Sequence, residues 1–468
     1  MMNISKTSSV LDLQKLAREG GRIRYAKSRL YTVGNRSPNP FNRAVESLTG
    51  LTTTKRRLVL GVIAEVCNKN GVDFKEALQN AGLPADELAK LLSYKGDLKA
   101  EHLNAALAKF VQVGDLAFKI EEDLGQGGNG KVVLATNGSK RIALKQAIKI
   151  PGDETMKQTN READVHAFVH QTKLGTKSHV VPTYGIVEGA DGTQYQAMDV
   201  AIADGGKLVE LQRKKARTRT LFGNRNGPLT PEKLQTLVEN RPPLTQRLLD
   251  TSAENPTLKL VVSDMLDGLR QTEEAGIAHR DIKLQNYLVN DRGEVQLTDF
   301  GTSGDSRDLF GATKGIPVAM RTGNENDNQK SPEWVRSELK VGSPAYQVGH
   351  GDDVFSLGVA AYGLITGGRL PFHGKPGDPD APIAPFDYRA NLLDDYAVST
   401  MSFSEWHKQH TGIAIPDEWK PLLNGALNPG PQQRPSADEL RKLDLFTSGL
   451  DITKTRETMV RQLNATQH

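Results

Sequence analysis

The sequence predicts an α+β chain: a small antiparallel sheet lobe with one packed helix, then a larger helical lobe, the two preceded by a small all-α domain. Three patterns carry this reading. From Phe118 to about residue 202 short β-type runs follow one another, FKIEEDLG, KVVLATN, RIALKQAI, VVPTYGIVE and TQYQAMDVAI, with one helical pattern between the third and fourth. After residue 258 apolar residues recur every three or four positions, most clearly in LKLVVSDMLDGLRQTEEAG and DVFSLGVAAYGLITG. From Phe41 to about Val113 the same helical spacing appears, as in KRRLVLGVIAEVCNK, where Leu58, Val62, Ile63, Val66 and Cys67 share a face.

Taken in order, residues 1–40 read as a flexible basic segment. Arg18, Arg22, Arg24, Lys27, Arg29 and Arg36 are set against Asp12 and Glu19, and the turn formers of NRSPNP close the stretch. Residues 41–115 read as a helical bundle, cut by Gly71, Asp73, Gly82 with Pro84, and Gly96 with Asp97 into four or five short helices. The main domain is expected at 116–449. Within it 212–257, with QRKKARTRT and several prolines, reads as an exposed insertion, and 450–468 is taken as a C-terminal tail.

Composition bounds the chemistry. With 37 % hydrophobic and 25 % charged residues the 468-residue chain suits a soluble protein, and it holds no apolar run of the roughly 18 to 20 residues that span a bilayer. Cys67 is the sole cysteine, which excludes an intramolecular disulfide and suits a reducing compartment. A net charge of +4 is modest for this length, so no stable nucleic-acid partner is expected.

Chemistry concentrates in four motifs. In LGQGGNGKVVLA, Gly125, Gly127 and Gly130 keep a GxGxxG spacing between two β-type runs, where bare backbone amides can approach phosphate oxygens and Val132 can lie on a base. A dinucleotide fingerprint would need a helix after the glycines, whereas KVVLAT reads as a strand. Lys145 follows in IALK, and the helical segment NREADVHAFVH offers two carboxylates to pair with it, Glu162 being favoured over Asp164 on spacing. AHRDIKLQNYLV places Asp281, Lys283 and Asn286 in one loop after a long helix: a carboxylate to orient a hydroxyl and accept its proton, a cation to offset charge on a moving phosphoryl group, and a carbonyl oxygen for Mg²⁺. Thirteen residues past Asn286, TDFG supplies Asp299 as a second Mg²⁺ ligand and Phe300 as a packing residue.

These motifs, in this order, resemble the eukaryotic-type serine/threonine protein kinase family, and the resemblance runs from about Phe118 to Phe446. It implies a bilobal protein kinase fold, ATP and Mg²⁺ as cofactors, and a protein substrate. It also implies Met198 at the gatekeeper position, backbone contacts to adenine from Asp199 to Ala201, and Leu124, Ala143 and Leu288 around the purine. SPEW puts Glu333 at the family's APE glutamate, Asp353 matches the buried helix F aspartate, and Arg434 matches the partner of that glutamate. Lys283, two residues after Asp281, is the serine/threonine signature.

The chain departs from the family at His166, where an aliphatic residue is usual, at Ser331 for the alanine of APE, and at Phe355 for a common tryptophan. Residues 304–330 lack the GTxxY pattern. Arg280 suggests an activation segment ordered by phosphate, with Ser303, Ser306, Thr313, Thr322 and Ser331 as the available hydroxyls and Thr313 or Thr322 favoured; the alternative is that Asp305, Asp308 or the ENDN run supplies the anion. Transfer to serine and threonine with autophosphorylation is expected, the alternative being a pseudokinase that binds without turnover. The layout of basic start, bundle and kinase also resembles effectors delivered by bacterial type III secretion systems, with a secretion chaperone or host protein as partner of the N-terminal region; an ordinary cytoplasmic kinase is the other reading.

Overall fold

The computed structural model describes residues 3–4, 22–26, 29–33, 110–113, 116–127, 130–136, 140–147, 154–189, 193–222, 244–305, 330–339, 349–372 and 390–465. The expected helical bundle lies almost wholly outside them. The chain divides into two compact units, Met1–Ala163 with Thr183–Val200, and Asp164–Pro182 with Ala201–His468.

In the first unit, β1 (Asn3–Ile4), β2 (Arg22–Ala26) and β3 (Arg29–Val33) form an antiparallel sheet in the order β1-β3-β2. The stretch read as flexible therefore contains strands; Arg22–Tyr25 alternates polar with apolar or aromatic residues, and RLYTV is rich in aromatic and β-branched ones.

The main sheet has six strands, β4 (Phe110–Val113), β5 (Leu116–Gly127), β6 (Gly130–Thr136), β7 (Arg141–Ala147), β8 (Thr183–Glu188) and β9 (Gln194–Asp199), in the order β4-β5-β6-β7-β9-β8. Five are the expected runs. The sixth, β4, lies inside the stretch assigned to the bundle, and it pairs antiparallel with β5 from Phe110 opposite Lys119 to Val113 opposite Leu116. Gly114–Asp115, two residues between alternating apolar runs, is the hairpin signal that marks it. Val111, Phe118, Val133, Ala135, Ile142, Leu144 and Ala197 form the core on one face of the sheet.

The second unit is helical. It takes in the C-terminal part of α1 (Glu154–Gln171) and then runs through β10 (Ala203–Asp204), α2 (Gly205–Phe222), α3 (Leu244–Ser252), α4 (Pro256–Glu274), β11 (Ile277–Ala278), β12 (Tyr287–Val289), β13 (Val295–Leu297) and β14 (Gly304–Asp305). There follow α5 (Pro332–Leu339), α6 (His350–Ile365), α7 (Phe403–Thr411), α8 (Lys420–Ala426), α9 (Ala437–Arg441), α10 (Asp444–Thr447) and α11 (Ile452–Asn464).

The central helix α4 starts where Asn255 accepts a hydrogen bond from the Thr257 amide and Pro256 takes the first turn, and it is buried along most of its length. Gln271 on α4 accepts from the His179 amide at 2.7 Å and donates to the Val169 carbonyl at 2.7 Å. These bonds tie the end of α1 and the following segment to α4. Helix α6 is buried from Asp352 to Ile365 in the same core as Leu266, Tyr287 and Phe300.

Two of the expected segments carry helices that the reading above did not include. The insertion expected to be exposed over 212–257 is helical at both described ends: α2 extends to Phe222 with Gln212 buried, and α3 buries Thr245, Leu248, Leu249 and Ser252, a helical stripe that its leucines already encode. The C-terminal tail is likewise part of the fold. Helix α11 buries Thr455, Met459 and Leu463 in one stripe, and Arg456 pairs with buried Asp264 of α4 at 2.9 Å.

Candidate active site

The first unit carries the glycine hairpin and the lysine. Strands β5 and β6 close with Gly127 opposite Gly130 and Gly125 opposite Val132, and Leu124 is 44 % exposed. A Cβ at Gly125 would meet no protein atom within 4 Å. Packing among the described residues therefore does not demand glycine there. Val132 lies opposite Lys145 of β7, and Ala143 opposite Met198 of β9, the last two buried.

Lys145 Nζ meets Glu162 Oε1 at 2.5 Å with both side chains nearly buried, so of the two carboxylates weighed, Glu162 makes the pair. Asp164 is exposed. Asp199 accepts from the Tyr184 hydroxyl, and that hydroxyl accepts in turn from Lys140 Nζ at 2.5 Å. The sequence held no signal for this exposed triplet.

The second unit carries the loop after α4. Asp353 at the start of α6 accepts from the amides of His279 and Arg280, each at 2.7 Å, and so stabilises the left-handed backbone of Arg280, whose φ is 68°. Lys283 Nζ donates to Asp281 Oδ2 at 2.7 Å, and Asn286 Nδ2 donates to the Asp281 carbonyl at 2.7 Å and to Oδ2 at 3.2 Å. Burial pushes the Asp281 carboxyl up, but the cations Lys283 and Lys330 outweigh it and hold the group below its ordinary value. Since both Asn286 bonds use its amide nitrogen, its oxygen can serve a hard cation, and Asp299 adds a carboxylate. This donor set fits Mg²⁺. Ala201 begins the second stretch of this unit, and Leu288 on β12 lies opposite Asp204.

Asp299 adopts φ 67°, ψ 70°, a left-handed conformation that aspartate tolerates better than most residues. Phe300 follows, fully buried between two histidine rings, 5.0 Å from His166 and 4.9 Å from His279. His166, where the family places an aliphatic side chain, is buried and donates from Nε2 to the Val181 carbonyl at 2.7 Å. A polar ring is accommodated because a carbonyl receives its proton.

The segment after the activation loop is anchored twice. Ser331 donates to Asp352 Oδ1, and Arg434 grips both oxygens of Glu333. Burial and the neighbouring Glu333 push the Asp352 carboxyl up to about 7. Two of the hydroxyls considered for phosphorylation are therefore corrected. Ser303, which donates to the Phe300 carbonyl, and Ser331 are both buried and engaged. Ser306, Thr313 and Thr322 lie outside the described residues.

Sequence reasoning missed Lys330, which stands 4.0 Å from Asp281 Oδ1. Its only sequence signal was its place directly before SPEW. His179, Asp264 and Asp267 also cluster, but Arg456 takes Asp264 while Arg270 and Arg441 take Asp267, so arginines already neutralise the carboxylates a metal would need.

The model of the protein kinase domain matches residues 118–446, and the chain belongs to the protein kinase family. The relatives it matches are named as kinases, most of them of the serine/threonine type. It is 24 % identical over 57 % of its length to the Probable serine/threonine-protein kinase pknA2 of Bifidobacterium longum, covering 28 % of that protein. It is 28 % identical over 44 % of its length to Germinal center kinase 3 of Caenorhabditis elegans, covering 32 % of that protein. To Serine/threonine-protein kinase/endoribonuclease IRE1b of Arabidopsis thaliana it is 24 % identical over 74 % of its length, covering 34 %. The chain thus spans about a third or less of the length of these relatives. Among the described residues no helix is long and apolar enough to cross a membrane.

Proposed function

We propose that this chain transfers the γ-phosphoryl group of ATP to serine and threonine hydroxyls of a protein substrate. The observation that carries the reading is Asp281, a carboxylate held between Lys283 and Asn286 on a loop clamped by Asp353. Asp281 accepts the proton of the attacking hydroxyl, and Lys283 offsets charge on the phosphoryl group in transit. Lys145, fixed by Glu162, offsets charge on the α and β phosphates, while the glycine hairpin offers backbone amides to the phosphates. Asn286 and Asp299 would hold Mg²⁺, which would neutralise phosphate charge. In the first unit the adenine is assigned to Leu124, Val132, Ala143 and Met198, with a backbone bond from Asp199.

The test incubates the full-length protein with Mg²⁺ and ATP, alone and with a cell lysate, and reads phosphosites by mass spectrometry. Phosphoserine and phosphothreonine that vanish in Asp281→Asn support the reading, and sites on the chain itself establish autophosphorylation. Binding of Mg·ATP with no transfer would leave a binding module in its place.

Residues 1–115 are assigned to delivery, partner binding or regulation on charge and helical pattern alone, with type III delivery and a chaperone or host partner as the specific form. Loss of translocation on deleting residues 1–40, with kinase activity kept, supports that form; unchanged delivery removes it.

A further inference from the structure

Lys330 reaches the catalytic loop from fifty residues further along the chain. Its ammonium donates to the Arg280 carbonyl at 2.7 Å, lies 4.8 Å from the centre of the Trp334 ring, and leaves only 15 % of the side chain exposed. Burying a lysine ammonium is costly unless acceptors and charge compensate it, and here a carbonyl, an aromatic face and the Asp281 carboxylate do so together.

The contacts single out one residue. The Arg280 amide donates to Asp353, and the Arg280 carbonyl accepts from Lys330, so the residue directly before Asp281 is held on both sides in its left-handed conformation. The carboxylate of Asp281 is also divided. Lys283 and Asn286 engage Oδ2, whereas Lys330 stands off Oδ1 at 4.0 Å, close enough to attract but beyond a hydrogen bond. Lys330 itself is based on a rigid turn, since Ser331 is bonded to Asp352 and Glu333 to Arg434.

We infer that Lys330 is a positioning residue for phosphoryl transfer: from the anchored turn at Ser331–Glu333 it holds the Arg280–Asp281 peptide so that Asp281 Oδ1 is presented to the acceptor hydroxyl. The inference rests on the kinase reading above. Nucleotide binding is not part of this role, because Lys330 touches the loop that handles the acceptor and none of the residues assigned to ATP.

The experiment compares wild type, Lys330→Met and Lys330→Arg, with a degenerate serine/threonine peptide library as acceptor, measuring kcat, KM for ATP, Mg·ATP affinity and Tm. Lys330→Met, which keeps the stem over Trp334 but removes charge and donor, is expected to lose about tenfold or more in kcat, since small misplacement of a reacting group has large effects on rate. Its KM for ATP and Mg·ATP affinity stay within about twofold of wild type, as the residue acts only on the acceptor side. Lys330→Arg restores most of the rate. A wild-type kcat in Lys330→Met overturns the inference, as does a loss of rate matched by loss of nucleotide affinity and not rescued by arginine. Should Lys330→Met fail to fold, Lys330→Gln is measured in its place by the same criteria. A wild-type protein that transfers no phosphate sinks the kinase reading, and this role with it; an active wild type beside an unaffected variant sinks only the role of Lys330.

Discussion

Arg434 and Glu333, 101 residues apart, form a two-pronged ion pair in which Arg434 Nη1 reaches Oε1 and Nη2 reaches Oε2 at 2.7 Å, with the guanidinium fully buried. The same guanidinium lies over the Phe355 ring, 4.9 Å from its centre, and donates to the Gly351 carbonyl at 3.0 Å. One side chain thus joins the turn that carries Lys330 to the start of α6, which carries Asp353. Phenylalanine in place of the family's tryptophan keeps a flat face for the arginine.

Removing one partner of this pair leaves the other charge buried alone. Arg434→Ala is expected to destabilise the protein by about 3–5 kcal/mol in denaturant unfolding, while the double replacement Glu333→Gln with Arg434→Met recovers part of that loss. Additive losses in the two variants would contradict the pairing.

The proposed chemistry predicts that Lys145→Met, Asp281→Asn and Asp299→Asn each fold and each lose about a hundredfold or more in phosphoryl transfer. The backbone separates two substitutions at Asp299. Asparagine tolerates its left-handed conformation, whereas Asp299→Ala adds a penalty of roughly 1–2 kcal/mol to stability. Equal Tm values for the two variants would show that no such strain is stored there.

Helix α11 is expected to be required for folding. Burial pushes the Asp264 carboxyl up and Arg456 opposes that, so Arg456→Met or truncation at residue 449 leaves a buried carboxylate without its cation. Arg456→Met is expected to cost about 3–5 kcal/mol in chemical denaturation, with much of it regained in Asp264→Asn/Arg456→Met. Normal stability of a chain ending at 449 would restore the tail reading.

His407 sets an acid limb of stability. Its Nδ1–H donates to the Ile413 carbonyl at 2.9 Å and its Nε2 accepts from the Tyr362 hydroxyl at 2.8 Å, a neutral ring whose burial lowers its pKa to about 4. The unfolded chain, with an ordinary histidine near 6.5, binds the extra proton between these values. The stabilisation is therefore complete above about pH 6.5 and falls as pH drops towards 4, by on the order of 3 kcal/mol. In His407→Asn the slope of unfolding free energy against pH should be shallower across that window; an unchanged slope would mean that other groups set it.

The sequence by itself determined the sheet-then-helix order, five of the six main strands, and the groups assigned to the reaction. Asp281, Lys283 and Asn286 sit within six residues, and the glycine spacing sits within one hairpin, so chemistry and local geometry are written in the same short stretch. Strand β4 was legible too, in the Gly-Asp dipeptide that separates two β-type runs in the sequence, but the preceding helical spacing overshadowed it.

Tertiary structure alone decided which distant groups pair within each unit. Glu162 rather than Asp164 meets Lys145, the Val181 carbonyl makes a buried His166 acceptable beside Phe300, and Lys330 comes to the Arg280 carbonyl from 50 residues away. Arg456 finds Asp264 across 192 residues and turns an apparent tail into part of the core. None of these pairings has a fixed spacing in the chain. Each exists because packing buries a charge or a polar atom, and a buried charge or donor must find its partner wherever the fold happens to bring one.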